Sequence, residues 1–415
     1  MGLILISPIG IYKKFKFNIQ ERTKILSLAT KTKEIKVGID EFSVVLFLPT
    51  PVNATQWLST ADMMIEKFLR LSQIETVFGK LIPLTAKLPH GYTQGFTIDV
   101  ADCYFAIAVH EYNQQMGIIV KWSAHSWAMF QKKYFDMFNH EMNILVFMKM
   151  IQSSLYNARI SRIDLTADYY NYGEELKPDT IYNRYVNKRY RVCDCNEKYS
   201  RHTLQCIQKD NRVDCFYIGS RKANTKSFLR VYDKRLEQIQ KSGFRLQEAL
   251  QYEDWTRFEV SYRQAYAHQI TEQLKNLNSN IELSQFIASK ILDKYRFVDV
   301  DTEEYTDFTS DLLDIAGNSS YSALRYEAPT NNSLTNSIRY IIKGSGLFAL
   351  LFKIENIWGE EAVTEFIEHL LAIYDVEKTE FYKDYKMRAW LSKNINALSQ
   401  QALIDCFMGT VNNTQ

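Results

Sequence analysis

The stretch SFLRVYDKRLEQ (residues 227–238) has the alternating pattern of a β-strand over its first half. Because successive side chains of a strand point to opposite faces, one face carries a tyrosine between two cations: Arg230, Tyr232 and Lys234. The other face carries Leu229 and Val231, which suit a buried core. The stretch therefore predicts a strand with one apolar face and one reactive face.

Two further segments repeat this design, RISRIDLTADYY (159–170) and WTRFEVSYR (255–263). Each has one apolar face and one polar face when it is read as a strand. The polar faces carry, in chain order, Arg162, Asp164, Thr166, Asp168, Arg257, Glu259, Ser261 and Arg263. If the three strands are neighbours, the carboxylates of Asp164 and Glu259 converge with Tyr232 on one outward-facing sheet surface.

This combination of residue types indicates phosphate chemistry. Two carboxylates without a histidine suit a hard divalent cation such as Mg²⁺ or Mn²⁺. A tyrosine beside a cation and a metal-bound phosphate is a plausible covalent nucleophile. The alternative is a set of surface ion pairs on an exposed sheet face.

The first part of the chain predicts an α+β fold. A strand at 41–49, a helix that begins near 55, two strands within 103–123, a helix at 133–157 and the strand 159–170 follow one another. This β-α-β-β-α-β order is the ferredoxin-like arrangement, in which helices cover one face of an antiparallel sheet and leave the other face free.

Strands predicted at 214–221, 227–234 and 255–263 extend this sheet or form a second one. After about residue 270 the pattern becomes mainly helical, and PTNNSLTNS (329–337) reads as a linker.

The sequence therefore predicts three parts. Residues 1–270 form a sheet domain with the reactive residues, 271–328 form a helical and acidic connecting region, and 338–415 form a C-terminal helical region. Residues 299–314 hold seven acids and no base, which is typical of a solvated helix start or loop.

The net charge of the 415-residue chain is only +2, but its distribution is uneven. Residues 181–240 hold 14 Lys or Arg against 6 Asp or Glu, and tyrosines are interleaved with the cations. This mixture is typical of surfaces that bind single-stranded nucleic acid, although a solvated basic face is the alternative. Reversing Arg189 and Arg191 to Glu is then expected to flatten the salt dependence of DNA binding.

The sequence predicts no membrane span, because no uninterrupted apolar run reaches the ~18 residues that a span needs. The amino-terminal residues lack the basic region of a signal peptide. Six cysteines in a chain of this size do not require a disulfide framework. A cytoplasmic protein is the expectation.

Three segments resemble the replication initiation factor family, which includes initiators of rolling-circle plasmid replication and relaxases of some integrative conjugative elements. They are SRIDLTADYY, FYIGSRKANTKSFLRVYDKRLE and WTRFEVSYR, in this order along the chain. The most specific is the second, in which a Gly-Ser-Arg strand precedes an Arg-x-Tyr-Asp-Lys strand. The similarity covers about residues 155–265.

The resemblance implies that Tyr232 attacks a phosphodiester and holds the 5′-phosphate, which leaves a 3′-hydroxyl for a polymerase. Asp164 and Glu259, with Asp168 as a third ligand, would hold Mg²⁺ or Mn²⁺. The cations Arg230, Lys234 and Arg221 would neutralise charge on the phosphate. They would also help the phenol, with a pKa near ~10, to react as a phenolate. Expected DNA contacts are Arg162, Arg189, Arg191, Lys222 and Arg257.

The resemblance also implies partners. The DNA would be an origin hairpin that is single-stranded at the nick, the protein would act as a homodimer, and it would recruit a host helicase. Two alternatives remain open at this point. A conjugative relaxase uses the same chemistry on a transfer origin, and a non-catalytic nucleic-acid binding protein shares the sheet architecture.

Overall fold

The computed structural model of the chain describes residues 32–199, 202–209, 211–222, 224–317, 321–324, 338, 341–342 and 345–398. The chain divides into two compact units, Met1–Tyr326 and Glu327–Gln415. Among the helices described, none combines the length and the apolar character needed to cross a bilayer. The amino-terminal residues and the linker predicted at 329–337 lie outside the described residues. The boundaries predicted at 270 and 328 stay predictions.

The first unit is built on a large antiparallel sheet. The strands described are β1 (Glu34–Phe47), β2 (Ile82–Pro83), β3 (Gln94–Thr97), β4 (Phe105–Val109), β5 (Ile118–Trp122), β6 (Asn157–Tyr170), β7 (Tyr190–Cys193), β8 (Leu204–Lys209), β9 (Arg212–Ile218), β10 (Ser227–Asp233), β11 (Trp255–Arg263) and β12 (Arg296–Asp299). Ten of them form one sheet in the order β2-β3-β4-β5-β1-β6-β11-β10-β9-β8, and β12 pairs with β7 separately.

Helices of this unit pack mainly against one face of the sheet. Those described are α1 (Trp57–Ser72), α2 (Ile74–Phe78), α3 (Ala124–Phe138), α4 (Ile144–Met150), α5 (Pro178–Val186), α6 (Lys234–Lys241), α7 (Leu246–Ala249), α8 (Ala265–Leu274), α9 (Asn280–Leu292) and α10 (Asp307–Ala316).

The predicted ferredoxin-like core is confirmed. Strands β1, β4, β5 and β6 carry the predicted β-α-β-β-α-β order, and they lie side by side as β4-β5-β1-β6 with antiparallel neighbours. The predicted strand at 255–263 is β11, and it continues the sheet from β6 through β10 to β8. The fold class is therefore α+β with an extended antiparallel sheet.

The apolar faces of the strands build the core as their alternation predicts. Ile163 and Leu165 of β6, Val260 of β11, and Leu229 and Val231 of β10 are fully buried. Each buried aliphatic side chain contributes roughly 1.5–3 kcal/mol relative to exposure. The small β7–β12 ladder also lies on this face, because Phe297 contacts the Phe258 ring at a centroid distance of 5.8 Å.

The prediction of one long helix at 133–157 is wrong, because the chain forms the end of α3 and all of α4 there. α3 ends at Phe138, and Asn139 follows in the left-handed conformation with φ 49°. The Asn143 side chain then caps the start of α4 by accepting the Val146 N–H at 3.0 Å. Asparagine is common both as the left-handed residue that ends a helix, as at Asn139, and as the N-cap that begins one, as at Asn143. These two residues explain why the helix is interrupted although the apolar spacing continues.

The acidic segment 299–314 contains the end of β12, a turn and α10. Phe308 and Leu312 of α10 are buried, whereas most of the acidic side chains face outward. The segment is therefore an amphipathic element with a solvated acidic face.

The second unit is helical in its described part. It contains α11 (Leu347–Trp358), α12 (Glu360–Lys383) and α13 (Tyr385–Leu398). The predicted helical character of the C-terminal region is confirmed for these residues.

Candidate active site

Strand register brings the predicted polar residues onto one face of three adjacent strands. Across β6 and β11, Asp168 lies opposite Arg257. Across β11 and β10, Glu259 lies opposite Arg230, and Arg257 lies opposite Tyr232. The residues that the sequence placed together are therefore neighbours in the fold.

This polar face is buried, which differs from the outward-facing surface that the sequence predicted. Tyr232 is 3% exposed, Asp164 1% and Glu259 7%. Helix α6 packs against β11, and Arg245, between α6 and α7, reaches Asp168 with its Nη1 at 3.4 Å. The segment that follows the tyrosine strand thus covers part of the face that the ferredoxin-like pattern leaves open.

Tyr232 lies between a carboxylate and a cation. Its hydroxyl donates a hydrogen bond to Glu259 Oε2 at 3.1 Å. The guanidinium carbon of Arg230 lies 3.8 Å from the centre of the tyrosine ring. Burial, reinforced by the charge of Glu259, raises the pKa of Tyr232 well above its usual value, and Arg257 and Arg230 oppose this shift. In this structure burial outweighs the effect predicted for the flanking cations.

Glu259 is the acceptor best placed for the phenol proton. Burial raises the pKa of Glu259 to about 7, and the charges of Asp40 and Asp164 add to this effect. Arg230 opposes the shift with its Nη1 3.7 Å from Glu259 Oε2. A carboxyl group with a pKa near 7 can both accept and return a proton at neutral pH.

Asp164 forms an ion pair with Arg162, which lies two residues earlier on the same face of β6. Arg162 donates to both carboxylate oxygens of Asp164, at 3.1 Å and 2.6 Å. Arg162 also donates to Glu41 at 2.7 Å. Burial nevertheless raises the pKa of Asp164. Arg162, which the sequence assigned to DNA, thus bridges two carboxylates of the site.

Asp168 is fully engaged by donors. It accepts from Arg257 at 2.6 Å and 2.8 Å and from the Trp255 indole at 2.6 Å. Burial alone would raise the pKa of Asp168, but Arg257 and Arg245 hold it below its usual value. The arrangement does not fit the third metal ligand expected at this position, since both oxygens are occupied. Asp168 instead orients Arg257.

We expect Asp168→Asn to lower the free energy of unfolding by about 3 kcal/mol, because it leaves the buried Arg257 guanidinium without its main counterion. Urea unfolding of both proteins measures this change. Asp136→Asn is the matched control, since Asp136 pairs with Lys132 on the surface and exposed pairs contribute at most about 1 kcal/mol. A loss below about 1 kcal/mol for Asp168→Asn would contradict a structural role.

Lys234 and Arg221 lie at opposite ends of the tyrosine strand. Lys234 begins α6, with its Nζ 5.4 Å from the centre of the Tyr232 ring and 2.7 Å from Glu237. Arg221 is exposed and stacks on Tyr217 at 4.3 Å. Tyr217 lies opposite Arg230 on β9. Both cations therefore border the polar face, Lys234 beside the tyrosine and Arg221 farther along.

The other expected DNA contacts do not share one location. Arg257 is buried between Asp168 and Asp40, with its Nη1 2.5 Å from Asp40, so it is not exposed to a ligand. Lys222 is exposed in the β9–β10 loop. Arg189 and Arg191 belong to the β7 region on the apolar side of the sheet, and Arg191 pairs with Glu303.

Sequence reasoning missed two acids on β1. The pairing of β1 with β6 shifts between Ile39 and Phe42, which leaves Asp40 and Glu41 together opposite Asp164. Such a β-bulge redirects side chains and is frequent next to functional sites. The available signal was the acidic pair within VGIDEFSVV, where an apolar strand is interrupted by two consecutive charges.

The residues present fit a divalent cation in part. Within the ranges that the structure describes, no group of three or more His, Cys, Asp and Glu side chains is arranged to hold a metal ion. Asp164 and Glu259 have raised pKa values because burial and nearby acids oppose their charge. A cation would offset this repulsion, and Mg²⁺ often uses one or two carboxylates together with waters and phosphate oxygens. Asp164 and Glu259 fit that pattern.

Comparison with known proteins identifies the family of the chain. A family model described as replication initiation factor matches residues 158–371, more than half of the chain. The fold is similar to that of a rolling circle replication initiator protein from Geobacillus stearothermophilus, with a TM-score of 0.47 and 16% identity. That alignment covers 68% of this chain and 97% of the other. No curated protein matches the sequence.

Proposed function

Because the chain belongs to the replication initiation factor family, we propose that it starts rolling-circle DNA replication by nicking and rejoining one DNA strand. The observation that carries this proposal is the contact between the Tyr232 hydroxyl and Glu259, beside the Arg230 guanidinium. A phenol, a carboxylate and a guanidinium in mutual contact are the groups that this chemistry requires, which supports the proposal.

In the proposed step, the phenol oxygen of Tyr232 attacks the phosphorus of a phosphodiester. A bond forms between this oxygen and phosphorus, and the bond from phosphorus to the 3′-oxygen breaks. Glu259 accepts the hydrogen bond of the phenol, and the phenol proton passes through water to the departing 3′-oxygen, which becomes a hydroxyl. Tyr232 is 3% exposed, so the step requires DNA binding to open access to the phenol.

Arg230 is placed to stabilise the charge of the phosphate. Its Nε is buried and has no hydrogen-bond partner among the described residues, so a donor remains for an anionic oxygen. Charge-assisted bonds of this kind are about twice as strong as neutral ones. Arg257 lies behind the phenol, where it favours the phenolate and is itself fixed by Asp168.

We propose that Asp164 and Glu259 hold Mg²⁺ or Mn²⁺, which would polarise the scissile phosphate when bound. Reversal of the same step rejoins the strand, because the phosphotyrosine retains the energy of the broken phosphodiester. No ATP is then needed for closure. The homodimer and the host helicase implied by the family resemblance remain part of this proposal.

The experiment that tests the proposal uses supercoiled DNA that carries the cognate origin, the full-length chain and Mg²⁺ without ATP. We expect relaxed and nicked circles. The 3′ end of the nick should support polymerase extension, and the 5′ end should resist a 5′-exonuclease even after protease treatment, because a tyrosyl peptide stays attached to it. Nicked circles with two free ends would contradict a covalent mechanism.

The arrangement of cations suggests that DNA passes over the polar face. Arg221 borders this face at the β9–β10 loop, in which Lys222 is also exposed, whereas Arg189 and Arg191 lie on the apolar side of the sheet. We therefore propose that the strand runs from Tyr232 along β10 towards this loop.

We expect reversal of Arg221 and Lys222 to Glu to flatten the salt dependence of single-strand binding by at least about 1.4 in log–log slope, since each phosphate contact contributes ~0.7. The matched variant reverses Arg189 and Arg191, which the sequence alone predicted to matter and which the proposed path predicts to matter little. Binding isotherms across a salt series measure both slopes. A larger effect at Arg189 and Arg191 would place the DNA on the other side of the sheet.

A further inference from the structure

The polar face of the sheet is covered near the start of β11 and open near its end. Arg245 covers the face near the start of the strand, where it contacts Asp168. Arg263 ends β11, points to the same face as Glu259 by strand alternation, and is half-exposed. Arg221 of the β9–β10 loop is exposed. Its carbonyl oxygen lies 3.5 Å from Arg263 Nη1, so two arginines meet at the open end of the face.

Each of these two arginines lies over an aromatic ring of the polar face. The guanidinium carbon of Arg263 is 4.9 Å from the centre of the Phe228 ring, and that of Arg221 is 4.3 Å from the centre of the Tyr217 ring. The two rings are 6.3 Å apart and belong to the same buried cluster as Tyr232. Stacking on a ring holds the plane of a guanidinium and leaves its N–H edges available to a ligand.

Arg221 and Arg263 have no carboxylate within ion-pairing distance among the residues that the structure describes. Arg221 donates from its Nε to the amide oxygen of Gln205 at 3.0 Å, and the oxygen nearest to Arg263 Nη1 is the neutral carbonyl described above. Arg162 on the same face is instead paired with two carboxylates. The open end of the face therefore carries positive charge that its neighbours do not neutralise.

The surroundings of Arg263 oppose its charge. Burial and the positive charge of Arg162 lower the pKa of Arg263. The pKa values of Arg162, Arg230 and Arg257, which have carboxylates beside them, are raised. An anion at Arg263 would remove this imbalance, and a phosphate matches the planar fork of guanidinium donors.

Arg263 is aligned with the reactive tyrosine. Glu259, which accepts the Tyr232 hydroxyl at 3.1 Å, lies four residues before Arg263 on β11. At ~3.4 Å per residue, the strand separates Glu259 from Arg263 by roughly 14 Å. This distance equals about four nucleotides at the spacing of one duplex strand, and fewer in an extended single strand. A DNA strand with one phosphodiester at Tyr232 thus reaches Arg263 within a few nucleotides.

We propose that Arg263, together with Arg221, binds a backbone phosphate of the DNA strand whose scissile phosphodiester is presented to Tyr232. Phe228 supports the Arg263 guanidinium and keeps its N–H groups available to the DNA. This subsite rests on the proposed function, since its ligand is the single strand on the polar face. It holds the strand at a second point, which determines the phosphodiester that reaches the phenol.

The first test measures binding in the Tyr232→Phe background, where no covalent attachment competes. The probe is a fluorescein-labelled oligothymidylate of about 15 nucleotides, within the size of single-strand sites. We expect Arg263→Gln to weaken binding about fourfold near 0.15 M salt and to reduce the salt slope by ~0.7. Arg263→Lys keeps the charge, so its salt slope should stay at the parental value.

Arg296→Gln is the matched control for Arg263→Gln. Arg296 is also half-buried, with its guanidinium carbon 5.8 Å from the centre of the Tyr305 ring. It also donates to neutral oxygens, the Leu292 carbonyl at 3.0 Å and the Tyr305 hydroxyl at 3.2 Å. However, it belongs to β12, on the helix-covered side of the sheet. Equal affinities of the Arg263→Gln and Arg296→Gln proteins would overturn the subsite.

Chemical modification of arginine gives a result that needs no substitution of Arg263. The Tyr232→Phe protein is treated with phenylglyoxal, with and without saturating oligothymidylate, and the modified peptides are quantified by mass spectrometry. We expect the oligonucleotide to protect Arg263 and to leave Arg296 unprotected. Equal modification of Arg263 in both samples would overturn the subsite. Because both tests read binding by a protein that lacks the nucleophile, their outcome is independent of whether Tyr232 forms an adduct.

Discussion

Tyr232→Phe is expected to lower covalent attachment to DNA by at least about three orders of magnitude, the size of effect seen when a catalytic nucleophile is removed. Phenylalanine keeps the ring that packs against Arg230 but lacks the oxygen that bonds Glu259. Binding of the same DNA is expected to change less than about twofold, because the charged residues remain in place. A denaturing gel of protein with an end-labelled origin hairpin measures the adduct.

Tyr112→Phe is the matched control for this substitution. Tyr112 is 78% exposed in the turn between β4 and β5, so it is accessible to DNA without any structural change. The control protein is expected to form the adduct at the parental level. A protease-sensitive adduct of the Tyr232→Phe protein would assign the chemistry to another residue.

Glu259→Gln is expected to change both activity and the pH dependence of stability. Burial raises the pKa of Glu259 to about 7, from a usual value of 4.5. The folded protein therefore binds this proton more tightly than the unfolded chain does. The resulting contribution to the free energy of unfolding is fully present below pH ~4.5 and is lost as the pH rises through about 7. Glutamine keeps the neutral form at every pH. In metal-free buffer the variant should thus gain up to about 3 kcal/mol over the parent above pH 8, with no gain near pH 4.5.

Thermal unfolding from pH 4.5 to pH 8.5 measures this difference, and addition of Mg²⁺ or Mn²⁺ provides the second arm. A cation held by Asp164 and Glu259 stabilises the folded parent by mass action. The parent is expected to gain thermal stability with the metal at pH 8, whereas Glu259→Gln and Asp164→Asn gain little. Nicking by the variants should be suppressed and should require more Mn²⁺. Equal thermal shifts for parent and variants, or full nicking in EDTA, would contradict the metal assignment.

The sequence predicted the fold and the composition of the site from one physical rule. Strict alternation in RIDLTAD, RVYDK and RFEVSYR assigned each side chain to a face, and antiparallel pairing then aligned Asp164, Tyr232 and Glu259. Alternation is a local property, so a single sequence contains it. The break of the predicted helix at Asn139 and Asn143 was missed because the apolar spacing continues across it.

The burial of the polar face and the balance of charges on it could not be predicted from the sequence in the same way. The cover of the polar face by α6 and Arg245 depends on tertiary packing, and it reverses the predicted effect on the Tyr232 pKa. Likewise, Asp168 matches Asp164 in sequence context, yet its pairing with Arg257 and Trp255 makes it a support for other side chains. The bulge that presents Asp40 appears only in the pairing of β1 with β6.

The most direct test of the central claim is to identify the residue attached to DNA. The full-length protein is allowed to react with an origin hairpin in the presence of Mg²⁺, the DNA is digested to a nucleotide, and tryptic peptides are sequenced by mass spectrometry. We expect a deoxynucleoside 5′-phosphate on the peptide that contains Val231, Tyr232 and Asp233. A nucleotide on another tyrosine, or nicked DNA without any attached peptide, would contradict it.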